Sequence, residues 1–472
     1  MAIATRRRRI RIPGGTGGTQ ARLKTPNVDR LMWRTGFGPS DADRNRFTGR
    51  SLSSVVDELL KRPQGRLVGP PPVVDRDGAK QPLEPTESDT DLTLEWMDRC
   101  IRTQNPLVER LALFFHNLFA TQRSEVSPPQ LMITQNQLFR RYADLAANPG
   151  ATFKDLVAEV GEDAAMLRFL DGENSTDEDP NENYAREICE LFCLGTVDKR
   201  GVPNYSEDDI REIARATTGW TINDDDPDDV KVEFDPERFD SSPKTIFGKT
   251  GNWDHRDVVE MVTTKHHAHP RFIITKLWHE FIATPPPDAT MADLIRTYKR
   301  SRTRILPVLR EILTDPLMLE SPREPNMIKP PVVFTVGVMR ALKLGIENNR
   351  LDSLTNAMGQ RLYHPPTVAG WDPGIAWLNT NTAIARFNMV NRYLNNEDLD
   401  LDDDEGETGA QAFKRAWESV GKPWMSSGAR SSLLFYAKQI DKDDSKDNEN
   451  NRRQRLRVLR SFMLGGPDAQ VM

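Results

Sequence analysis

The feature that most constrains this chain is the spacing of its apolar residues. Almost everywhere they recur at intervals of three and four, the repeat of one face of a helix. Leu107, Leu111, Phe114, Phe115 and Leu118 make one such stripe, and Ile210, Ile213, Ala214 and Thr217 make another. Strand-like alternation between turn residues is confined to Val230–Phe234 and Lys244–Phe247. With 472 residues the chain can bury a sizeable core without staples. The expected fold is mainly α: a large multi-helix globular domain with loop insertions and very little strand.

The spacing predicts helices over Val28–Thr35, Leu52–Lys61, Thr93–Thr103 and Asn105–Thr121, the last with Asn105 as its cap and Pro106 in its first turn. Others are expected over Gln130–Ala147, Thr152–Leu170, Asn183–Leu194, Glu207–Thr218, Arg256–Thr264, Arg271–Ala283 and onward to the C-terminus. A basic arm is expected over residues 1–25, disordered over its first twenty. A helical core follows over 26–395, with a proline-rich insertion at about 63–90. An acidic loop over 396–408 leads to helices over 409–472 that pack on the core.

Arg6, Arg7, Arg8, Arg9 and Arg11 stand together in the arm, followed by Ile-Pro-Gly-Gly-Thr-Gly-Gly. An export signal needs an apolar stretch after its arginines, so the arm reads as a solvated tail or a dock for an acidic partner. Other acidic insertions are read at Asn223–Asp229 and Asp441–Asn451. The acidic run from Asp400 carries Glu405 at the sixth position, where a calcium loop needs glycine for its sharp turn. Net charge is −6, which argues against a nucleic-acid binder. No run of 18 apolar residues marks a membrane span. Three cysteines make no disulfide framework. A cytoplasmic location is the default expectation, with export bound to a partner as the alternative.

The segment Asn183–Leu194, closed by Gly195, is apolar on two stripes and is expected to be buried. It draws Glu187 and Glu190 inward, and buried carboxylates need a cation, a metal or a proton. The next helix, capped by Ser206, carries Arg211, Glu212 and Arg215 and is expected alongside. Two readings stay open. Arg186, Arg211 and Arg215 neutralise Glu187, Glu190 and Glu212 in a buried ion network, or carboxylates with a histidine hold a metal. The pattern lacks the Glu-x-x-His of di-iron bundles. His116 lies off its helix's core stripe on the side of Glu109, suited to a hydrogen bond or to ligation. His266, His267 and His269 read as capping and surface residues. Cys189 and Cys193 read as core. Around Trp371 and Trp377, consecutive prolines and glycines stiffen a loop whose tryptophans either stack on a sugar or pin the loop to the core.

Several motifs occur together: Phe-Phe-His-Asn-Leu-Phe (114–119), Asn-Glu-Asn-Tyr-Ala-Arg-Glu (181–187), Tyr-Ser-Glu-Asp-Asp-Ile-Arg-Glu-Ile-Ala-Arg-Ala (205–216) followed by Thr-Gly-Trp (218–220), and Pro365-Pro366 with Val-Ala-Gly-Trp (368–371). Arg-Thr-Gly-Phe-Gly-Pro (34–39) and Lys-Leu-Trp (276–278) accompany them. In this order they resemble the bacterial family catalogued as domain of unknown function 1800, over about residues 27–465. The resemblance implies a helical fold and no settled activity. It also implies frequent export, and frequent encoding beside a sulfatase-like or phosphatase-like family. The family's usual leader is not seen here. Two family histidines are replaced, at Leu118 and at Phe239.

The combined reading is a polar pocket of family type, with metal-assisted hydrolytic or oxidative chemistry. The candidate ligands are Glu187, Glu190, Glu212 and His116, and a divalent metal is the candidate cofactor. His116, Asn183, Tyr184, Arg186, Arg211, Arg215, Asp240 and Lys244 are the candidate catalytic and positioning residues. Trp220, Trp371 and Trp377 are the candidate substrate or loop platform. One alternative is a catalytically degenerate scaffold acting with a protein partner, for instance a sulfatase-like one. A second is carbohydrate binding.

Overall fold

A computed structural model describes residues 22–76, 78–224, 226, 230–319, 325–395, 406–439, 441 and 448–472. The fold is mainly α, as the periodicity implies; among the described residues the strands form three two-stranded antiparallel hairpins. Most of the basic arm, most of the acidic loop and much of the other acidic insertions lie outside the described residues. The arm's last residues are structured: Arg22 bridges to Ser51, and Thr25 opens the helix Thr25–Arg34.

The proline-rich insertion is partly ordered as a hairpin, Val73–Arg76 pairing with Ala79–Pro82. The two expected strands are present as Lys231–Phe234 and Lys244–Ile246, each with a partner that alternation does not mark, Trp220–Asn223 and Lys249–Gly251. The single helix expected over Thr152–Leu170 is two, Phe153–Gly161 and Ala164–Phe169. Asp163 breaks it by turning its carboxylate onto the backbone N–H of Met166, which caps the second piece. The helix Glu182–Glu187 continues as a π-helical turn, Ile188–Cys193, and His255–Glu260 continues as another, Met261–Lys265. Pro106 opens the helix Pro106–Leu118 as expected, but Asn105 does not cap it through its side chain; its amide donates to the carbonyl of Arg62.

One continuous core runs from Leu23 to Met472. The two ends of the described chain meet. Arg34 is buried and donates to the carbonyl of Met472 (2.9 Å), and the Met472 N–H donates to the carbonyl of Met327 (2.8 Å). The helix Pro331–Leu342 lies beside this junction and is buried on almost every face. Gly337 in its middle makes the packing fit: a Cβ there would stand 2.4 Å from the Trp33 ring. No helix among the described residues is long and apolar enough to cross a membrane.

Candidate functional site

The candidate residues fall into three groups, each fixed by local chemistry. The first is built by His116 and Asn117 at the end of the helix Pro106–Leu118. His116 is 1% exposed, and its Nε2 accepts the backbone N–H of Tyr363 (3.1 Å). Trp96, Tyr363 and Trp371 surround its ring at centroid distances of 5.2–5.6 Å. Burial pushes its pKa down to about 3, so it is a neutral acceptor. The Oδ1 of Asn117 accepts the N–H of Trp371 (2.8 Å). Two of the sequence motifs are thus one clamp, with His-Asn holding both ends of the Tyr363–Trp371 loop. Trp371 and Trp377 are 6% and 7% exposed, so neither offers a face to a sugar. They pin the loop. Glu109 does not pair with His116; it is fully buried and accepts from Arg140 (3.1 Å) and from the indole of Trp96 (2.9 Å).

The second group surrounds Lys244. Arg215 bridges Glu212 (2.8 Å) and Asp240 (2.7 Å), and Glu212 also accepts the N–H of Thr245 (2.7 Å). Lys244 is fully buried, donates to the carbonyls of Asp240 and Ser242, and lies 4.7 Å from the centre of the Phe239 ring. The apolar ring at position 239, where the resemblance expects histidine, therefore carries the lysine ammonium. Phe239 packs on Phe234, and Phe234 on Trp220, so the aromatic residues lead on to the third group.

That third group contains two residues that sequence reasoning passed over. The Tyr184 hydroxyl lies 3.0 Å from Nε2 of His255, whose Nδ1 lies 3.4 Å from Glu162; Arg256 clamps the same carboxylate at 2.8 Å. Trp220 meets His255 edge-on at 6.3 Å. The signal for this alignment is Gly161: a Cβ there would stand 2.2 Å from the Tyr184 hydroxyl and 2.3 Å from His255 Nε2. The backbone of Gly161 covers the hydroxyl–imidazole contact.

The remaining candidates point elsewhere. Arg186 does not neutralise Glu187 or Glu190. It pairs with Glu207 (2.9 Å) across to the next helix and with Glu182 (3.1 Å) on its own. Arg211 pairs with Asp208 in the open. Asn183 is exposed in the first turn of its helix. Glu190 accepts from Tyr205 (3.3 Å). Glu187 is half-buried with no hydrogen bond from a described residue; burial first, then the charge of Glu190, push its pKa up to about 6. Glu187, Glu190, Glu212 and His116 do not converge. Among the described residues no three His, Cys, Asp or Glu side chains are grouped to hold a metal ion.

His269, expected at the surface, is fully buried between the carbonyl of Cys193 (2.9 Å) and the hydroxyl of Tyr298 (2.8 Å). The helix His269–Phe281 has no side-chain cap; His266 lies before it, its Nδ1 accepting the N–H of Ala268 (3.2 Å). All three cysteines are buried and free.

A space large enough for a ligand lies away from these groups. A cleft of about 1610 Å³ opens beside the junction of the two chain ends. Phe334, Gly337, Ala341, Trp33, Trp417 and Trp424 are among the residues that line it. Arg340 donates to the carbonyls of Ile101 (2.8 Å) and Thr103 (3.2 Å), and Lys329 to that of Ala469 (2.7 Å). Both line the cleft.

A family model described as protein of unknown function, DUF1800, matches residues 30–471. No curated protein and no solved structure matches the chain.

Proposed function

This chain belongs to the DUF1800 family, and we propose that it works as a ligand-binding helical scaffold whose binding site is the cleft beside the Pro331–Leu342 helix. The observation that carries this reading is the cleft itself. Its volume of about 1610 Å³ exceeds that of an ordinary small-molecule pocket, and its lining includes tryptophans and cations. The family motifs support it from behind. His116 and Asn117 hold a loop, Arg215 ties two elements together, and Lys244 is spent on backbone carbonyls. Metal-assisted chemistry would need Glu187, Glu190, Glu212 and His116 brought together, and among the described residues no three such side chains are grouped to hold a metal ion.

Ligand-observed NMR with the full chain tests the reading. Gly345 lines the cleft with open space where a Cβ would stand, so Gly345→Trp adds bulk to the cleft. Compounds that bind the wild type are expected to be excluded by Gly345→Trp. A panel without binders, or with binders indifferent to that change, overturns it.

A second reading is favoured by one observation, the Tyr184–His255–Glu162 alignment, which suits proton transfer. It predicts a hydrolytic activity lost in His255→Asn with the fold intact. Loss of stability without any activity to lose would make the alignment structural.

A further inference from the structure

The charge balance of the cleft points to the chemistry of its ligand. Several of its acidic side chains are answered, Asp29 by Arg44 (2.7 Å), Asp98 by Arg102 and Asp41 by Lys422 (3.2 Å), while Asp468 accepts the N–H of Ser426 (2.7 Å) and Asp75 that of Gly78 (3.0 Å); Glu347 and Glu418 line it as well. Its cations are not all answered. Lys329 is 6% exposed, and no carboxylate among the described residues pairs with it. Its ammonium spends one N–H on the Ala469 carbonyl (2.7 Å), and one side of it is closed by the Trp33 ring, 3.8 Å from Nζ to the ring centre.

The charge that acts on it is another cation's. Arg386 is fully buried and donates to the Lys329 carbonyl (2.9 Å) and to Gln470 (3.2 Å). Burying an ammonium without a counter-charge is costly, and such groups persist where something supplies the charge. Burial, with Arg386 adding to it, pulls the Lys329 pKa down to about 7, so the site as it stands disfavours its own charged form.

We propose that Lys329 is the anchor for a carboxylate of the ligand that the cleft binds. The inference rests on the reading of the cleft as a ligand site. A carboxylate fits better than a phosphate because few donors converge there. The helix beside Lys329 begins with Pro330 and Pro331, which carry no N–H, and the N–H of Val332 goes to Gln360 (3.0 Å). One ammonium with N–H groups to spare suits one carboxylate. Trp33, Trp417 and Trp424, which line the cleft, then take the apolar body of the ligand.

The test uses matched phenylalkyl carboxylates, primary amides and phosphonates, titrated by NMR into the full chain. The carboxylates are expected to bind at least about tenfold more tightly than their amides. Lys329→Met is expected to remove that preference and leave amide binding unchanged, while Lys329→Arg, which keeps the charge, retains part of it. Lys329→Gln, which keeps a donor for Ala469, replaces Lys329→Met if the latter does not fold. Equal affinity for acid and amide, a preference that survives in Lys329→Met, or a preference for phosphonates overturns the proposal. Probes excluded by Gly345→Trp but blind to charge would sink the carboxylate anchor and leave the cleft standing. Probes untouched by Gly345→Trp would sink the cleft itself.

Discussion

Asn117 and Trp371 lie 254 positions apart and are joined by one hydrogen bond, from the Trp371 N–H to the Asn117 Oδ1, at 2.8 Å. Gly370 makes the contact fit. Its φ is +82°, a conformation that side chains rarely adopt, and a Cβ would stand 2.3 Å from the Asn117 Oδ1. Gly370→Ala is therefore expected to cost about 1–3 kcal/mol through strain and the displaced amide. Asn117→Ala, which leaves a backbone donor unanswered, is expected to cost a similar amount, about 1–3 kcal/mol. Because both changes break the same contact, the double variant should fall short of the sum, which chemical denaturation of the four proteins checks.

Acid should unfold this protein through its buried imidazoles. His116 and His269 have folded pKa values of about 3 and about 4, against 6.5 in the open chain. Below pH 6.5 the unfolded chain takes up protons that the folded one refuses, so stability is full above pH 6.5 and is lost as pH falls toward 4 and 3. His116→Gln keeps an acceptor for Tyr363 and is expected to flatten that slope. Denaturant midpoints at pH 4.5 and pH 7 give the comparison, and an unchanged slope would count against the buried, neutral His116.

Glu187 separates a metal ligand from a misplaced charge. Its pKa is raised from 4.5 to about 6, so its ionised form is disfavoured in the fold and its contribution to stability falls as pH rises through this window. Glu187→Gln is expected to be as stable as the wild type or more so at pH 7.5. Its metal content by plasma mass spectrometry should match the wild type's. A stoichiometric metal in the wild type, lost together with stability in Glu187→Gln, would refute this and restore the metal centre.

Lys329 makes a prediction on the alkaline side that needs no ligand. Between pH 7 and 10.5 the unfolded chain holds a proton on this lysine that the folded chain does not. Stability is therefore expected to rise with pH across that window, and the rise should be smaller in Lys329→Met. Thermal midpoints at pH 7.5 and 9.5 compare the two proteins; identical increments would mean that Lys329 carries its charge in the folded state.

Much of the fold is legible in the residues because helix stripes such as Leu107–Leu118 bury one face in a way that spacing alone dictates. The interruptions are less legible. The apolar repeat runs through Glu162 and Asp163 without a break, so the boundary there depends on a carboxylate capping its own backbone. The π-helical turn at Ile188–Cys193 keeps the apolar pattern of an α-helix, so nothing in the spacing marks where the α-helix ends. His255 needed a partner 71 residues away, and only the glycine at 161 hinted at a close approach. Lys329 is one of 64 basic residues, and nothing local marks it out; its burial comes from the meeting of segments near the two ends of the chain.

That meeting has a consequence for how the protein comes into being. Arg34 and Met472 are separated by 438 positions, so the segment carrying Arg34 leaves the ribosome long before the stretch of backbone that it meets. Until the residues near position 472 have been made, the segments they meet lack part of their packing, and a chain in that state exposes apolar surface that can stick to itself or to its neighbours. Contacts of such long range are slow to form. A compound that binds the folded chain and not the unfolded one would stabilise that meeting by mass action and lower the fraction of protein open to proteases.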